Sequence, residues 1–137
     1  MSKVSTKEPP SVKHSYVEGI NAIKSEPKGV WTPEFTEENI KNVMKMAERY
    51  TGKRWGYLGV LTEMAPVLDS KVSKLFAEMN NELEKRGCIA TAFVVGGGVA
   101  LKAQANRHYD ISESKGMQVA HFGTVEEAVE WLKSFNL

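Results

Sequence analysis

The chain has 137 residues, 42% hydrophobic and 26% charged, and its 18 basic residues are balanced by 17 acidic ones for a net charge of +1. That length suffices for one domain with its own core, and the even charge excludes a basic nucleic-acid footprint. A single cysteine, Cys88, excludes an intramolecular disulfide and a cysteine-held metal, and no run approaches the ~18 apolar residues of a membrane span.

Residues 1–11 are polar and carry Pro9-Pro10. They read as a flexible tail ahead of a single domain over residues 12–137. The tail has no apolar run of the kind a secretory leader needs, so a cytoplasmic setting is expected. "VKHSYVEGINAIKSEPKGVW" follows and reads as a β-hairpin turning at Gly19. Pro27 is expected to weaken its second strand or to place it at an edge.

"TPEFTEENIKNVMKMAERYTGK" carries the signals of a helix. Thr32 is a candidate N-cap, Pro33 suits the first helical position, and Glu34, Glu37 and Glu38 favour the positive end of the dipole. Ile40, Val43, Met44 and Ala47 form one apolar face, and Gly52 stops the helix. "RWGYLGVL", residues 54–61, reads as a buried strand. After the loop "TEMAPVLD", a second helix places Val72, Leu75, Phe76, Met79 and Leu83 on its buried stripe and stops at Gly87.

"CIATAFVV", residues 88–95, is another buried strand, broken by Gly96-Gly97-Gly98. "VALKAQANRHY" is expected to be a third helix and "MQVAHF" a short strand. "TVEEAVEWLKSF" is the last helix, opened by a capping box of Thr124 and Glu127, with Val125, Ala128, Val129 and Leu132 facing inward. This alternation predicts an α/β fold: a central, mostly parallel sheet with an N-terminal hairpin and about four helices.

Few residues carry candidate chemistry. Ser70, in "VLDSKVSKLF", stands where a loop meets a helix start. Its hydroxyl can cap the helix, and the same position suits a phosphate because a helix N-terminus favours anions. Gly96, Gly97 and Gly98, with Lys102 nearby, form either a structural turn or an anion-binding loop. They match neither a phosphate loop nor a dinucleotide fingerprint. His14, His108 and His121 show no metal-ligand spacing, and Arg107, His108 and Asp110 read as a polar helix end. Cys88 reads as a small buried hydrophobe. Trp31, Trp55 and Met64 are candidates for the wall of an apolar pocket between the sheet and the first two helices.

Several segments resemble one family. "GVWTPEFTEENI" is similar to the glycine–tryptophan segment that opens the first helix of SpoIIAA-like, STAS-type bacterial proteins. "WGYLGVL" and "AFVV" resemble their central strands, and "HFGTVEEAVEWL" resembles their ending. The resemblance spans about residues 14–135. It implies a STAS-like α/β fold, one also compared with the lipid-binding Sec14 domain. It further implies a phosphorylated serine after a strand and loop, at an Asp-Ser helix start, which here falls on Ser70.

The expected function is therefore a non-enzymatic regulatory or protein-interaction module, switched by phosphorylation at Ser70. The alternative is a small-molecule or lipid-binding domain with its pocket between sheet and helices. A protein partner is expected, and a small apolar ligand or a second copy of the chain is the other candidate. No metal, cofactor or nucleic acid is expected.

Overall fold

The computed structural model describes residues 8–96 and 116–137. Strands β1 (Ser11–Tyr16) and β2 (Ala22–Gly29) form the predicted hairpin. Their antiparallel register is centred between Gly19 and Ile20, with Ser11 opposite Lys28 and Tyr16 opposite Ile23. Gly19 adopts the left-handed φ of +86° that the turn requires.

Helix α1 (Pro33–Ala47) starts as its sequence directs. Thr32 accepts the Phe35 N–H at 3.1 Å, and Pro33 follows in the first turn. A 3₁₀ turn, Glu48–Tyr50, leads on to β3 (Trp55–Val60) and the short β4 (Glu63–Met64). Helix α2 (Ser70–Lys85), β5 (Cys88–Val94), β6 (Gln118–Phe122) and α3 (Val125–Lys133) complete the described elements. The segment expected to form a helix over 99–109 lies outside the described residues.

The six strands form one sheet in the order β1-β2-β3-β5-β6, with β4 beside the far end of β2. Only the β1–β2 pair is antiparallel. Alternate residues of each strand face opposite sides. Ile23, Trp55, Tyr57 and Cys88 point toward α1 and α2, where they meet Val43, Met44, Met79 and Leu83. Ala22, Leu58, Ala90, Ala92 and Val94 point the other way, toward Ala128 and Leu132 of α3. Covering both faces explains why β3 and β5 are nearly continuous apolar runs.

Two expectations are corrected. β2 is not an edge strand; it lies between β1 and β3. On that side it pairs with β3 through Ala22–Ser25 and with β4 through Lys28 and Gly29. Pro27 falls in the gap between these two pairings, so its missing N–H costs no ladder bond there. The polar N-terminal segment also ends sooner than residue 11. Glu8 accepts the Val30 N–H at 2.9 Å, and Ser11 already belongs to β1. Gly29, at φ +77°, admits this approach, because a Cβ there would run into the carbonyl of Pro9.

The start of α2 differs from the sequence reading in detail. Asp69, not Ser70, is the N-cap, and its carboxylate accepts the Lys71 N–H at 2.7 Å. Ser70 is the first helical residue and is exposed. Asp69→Ala is therefore expected to lower stability by about 1 kcal/mol, whereas Ser70→Ala is nearly neutral. Urea melts of the two variants check this; equal losses would return the cap to Ser70. At α3, Thr124 accepts the Glu127 N–H at 3.2 Å, and its hydroxyl donates to the Glu127 carboxylate at 3.1 Å. Only the threonine half of the capping box forms as predicted.

Candidate functional site

Toward the C-terminal ends of β2, β3 and β5 the sheet and helices do not close completely. A cavity of about 60 Å³ lies between the sheet and the helix pair α1–α2, on the side of an open α/β sheet where ligands characteristically bind. Its apolar walls come from Trp31 before α1, Phe76 and Met79 on α2, and Phe93 on β5, and Met64 of β4 and Val67 of the loop after it close it over. Trp31 is fixed by its indole N–H, which donates to the Lys28 carbonyl at 3.1 Å. It packs edge-on to Phe35, centroids 4.8 Å apart, and tilted against Phe76 at 5.6 Å. Gly59 lines the sheet side, where the absence of a Cβ leaves room beside the Phe93 ring.

Four buried polar side chains interrupt this apolar wall: Ser25, Asn39, Tyr57 and Asn80. Ser25 and Asn39 both neighbour His14, and Tyr57 bonds to Ser25. The Ser25 hydroxyl and His14 Nδ1 are 2.7 Å apart, as cross-strand partners on one face of the hairpin. Asn39 lies near His14 on its other side, and its amide also donates to Met79 Sδ at 3.9 Å. Asn39 Oδ1 and His14 Nε2 are both buried without a hydrogen bond of good geometry. Burial lowers the pKa of His14, and Asn39 opposes that only in part, which leaves the ring neutral at pH 7. Burial raises the Tyr57 hydroxyl to about 12, against a smaller opposing effect of its bond with Ser25. No charged side chain lines the cavity among the described residues.

The residues singled out in the sequence separate here. Trp31 and Met64 line the cavity. Trp55 does not. It starts β3, so although it faces the same helices it sits at the opposite end of the strand from Gly59. There it is fully buried, stacked on Tyr50 at 5.8 Å, with its indole N–H donating to the Arg86 carbonyl at 2.8 Å. Gly96 follows β5 at φ +55° and is exposed near Thr62. Gly97, Gly98 and Lys102 lie outside the described residues. Ser70 stands at the end of the segment that supplies Met64 and Val67 to the cavity, and the adjacent Leu68 is 92% exposed.

The sequence reading missed the polar wall. Ser25 and His14 make a contact of the kind a hydroxyl and a base share. The hairpin register centred beside Gly19 would have placed them opposite each other. Asn39 and Asn80 carried a different signal: each is a polar residue set within an apolar helix stripe, Asn80 lying between Phe76 and Leu83 at helical spacing.

No family model matches the sequence, and no curated protein matches it. Among solved structures, the chain is similar to an uncharacterized DUF3478-family protein with a SpoIIAA-like fold from Shewanella loihica PV-4. The two share 14% identity and superpose with a TM-score of 0.68 over 96% of this chain and 99% of that one. The chain therefore has a SpoIIAA-like fold. Among the described residues no helix is long and apolar enough to cross a membrane, and no group of three or more His, Cys, Asp or Glu residues could hold a metal ion.

Proposed function

We propose that this SpoIIAA-like domain binds a small, predominantly apolar molecule in the cavity between its sheet and the helix pair α1–α2. The observation that carries this reading is the cavity itself, about 60 Å³ walled by aromatic and thioether side chains. Protein interiors are normally filled to crystal-like density, so an apolar void with a few convergent polar groups is the form a binding site takes. Met64 and Met79 can repack around occupants of different shape. The reading is of a binding module and assigns no reaction to the chain.

Native mass spectrometry of the protein purified from its own cells tests this reading. A retained small molecule, lost when Gly59→Val fills the cavity from the sheet side, is the expected result. A bare protein that also shows no melting shift with any member of an apolar fragment panel would overturn it.

A second reading has its own support. Leu68 is 92% exposed beside the exposed Ser70 at the N-terminus of α2, with Lys71 and Lys74 close behind. An isolated apolar side chain next to a modifiable hydroxyl suits docking by a protein partner under phosphorylation control. A phosphate on Ser70 would gain from the helix dipole and be repelled by the Asp69 carboxylate. Intact-mass analysis of the same sample shows whether Ser70 carries phosphate. A pull-down comparing the native chain with Leu68→Ala reveals whether this face holds a partner, a second copy of the chain included.

A further inference from the structure

We infer that the molecule held in the cavity is uncharged and carries one hydrogen-bonding group that seats on the Asn80 carboxamide. This rests on the reading of the cavity as a ligand site. Asn80 is only 4% exposed, lines the cavity, and makes no hydrogen bond among the described residues. Its neighbours on the wall are already engaged: Ser25 with His14, Tyr57 with Ser25, and Asn39 with Met79. Among the described residues Asn80 is thus the polar side chain of the wall with its full capacity in hand, two donors and a carbonyl acceptor, whereas Asn39 keeps only its Oδ1 open.

Stability alone does not account for an asparagine here. Its position continues the stripe of Val72, Phe76 and Leu83, where a leucine of the same branched shape would bury no amide. A carboxamide set in an apolar stripe that opens on a cavity is what a recognition residue looks like before its partner arrives.

The walls define the rest of the ligand. With no charged side chain facing the cavity among the described residues, a carboxylate, phosphate or ammonium would be buried uncompensated by them. The rings of Trp31 and Phe93 line the same cavity and favour an apolar body. At about 10–15 Å³ per water-sized sphere, 60 Å³ accepts on the order of five small atoms before the methionines move. The class is therefore a short neutral alcohol, ketone or amide, not a charged metabolite.

An NMR titration of the isotopically labelled full chain with four probes tests this: butanamide, 1-butanol, butanoate and cyclopentane. Butanamide and 1-butanol are expected to shift the Asn80 side-chain NH₂ signal and the backbone signals of Phe76–Asn80, and butanoate is not. Asn80→Leu is expected to melt higher than the native chain and to weaken both neutral polar probes at least tenfold. Asn80→Ala, which leaves the space open, should lose the polar probes and keep cyclopentane. If cyclopentane binds but the polar probes gain nothing from Asn80, or if butanoate binds as well as butanamide, the inference is overturned and the cavity reading survives. If no probe binds, including cyclopentane, both fall.

Discussion

Trp55→Ala is expected to lower the unfolding free energy by about 3–5 kcal/mol, the range for deleting a large buried aromatic. The side chain has no exposed surface, stacks on Tyr50, and ties the end of α2 to the start of β3 through its bond to the Arg86 carbonyl. Truncation leaves a hole in the largest cluster and an unpaired carbonyl beside it. Against a total of about 5–15 kcal/mol, such a loss brings the chain close to unfolding. A thermal melt should show a fall of roughly 10–20 °C. Trp55→Phe keeps much of the packing and loses only the indole bond, so it should recover at least half of that. A fall of under about 3 °C for the alanine variant would mean the site collapses freely and that Trp55 does not anchor the core.

The second large effect is a loss of stability in alkali. Burial raises the Cys88 thiol from 9.0 to about 12 and the Tyr57 hydroxyl from 10.0 to about 12. The bonds of Cys88 to Thr91 and Ala90 offset its shift only in part; the Glu84 carboxylate adds to the reluctance of Cys88 to ionise, and Cys88 to that of Tyr57. Both are neutral when protonated, so the folded chain holds these protons to higher pH than the unfolded chain does. Their contribution is complete below about pH 9 and is lost as pH rises toward 12. At about 1.4 kcal/mol per pH unit and group, the loss is on the order of 5 kcal/mol by pH 12. Urea melts between pH 8 and 11.5 should show the midpoint falling steeply. In the double variant Cys88→Ala, Tyr57→Phe the slope should be much shallower, whatever its stability at pH 8. An unchanged slope would assign the alkaline loss to other groups.

The fold was legible because its signals are local and repeated. Caps at Thr32 and Thr124, glycine stops and two unbroken apolar strands each bound an element within a few residues of where it lies. The pocket was legible only in part. Trp31 and Met64 lie on its wall, whereas residue type alone does not place Trp55. Which end of a strand a tryptophan occupies decides what it touches, and that depends on register with strands far off in sequence. Pro27 misled for a similar reason, since the gap that tolerates it is made by β3 and β4 together. The polar wall needed the partners of four elements at once, so His14, Ser25, Asn39 and Asn80 looked unrelated along the chain.

The segment from Met64 to Ser70 closes the cavity with its first residues and offers Leu68 and Ser70 to the outside with its last. Inner and outer sites therefore share a single stretch of backbone. Reciprocity then applies: any factor by which an occupant of the cavity changes a partner's hold on Leu68 is the factor by which that partner changes the hold on the occupant. The outer equilibrium becomes a gauge for the inner one. A cavity guest too weakly held to detect directly would be read from how far it moves a partner's dissociation constant.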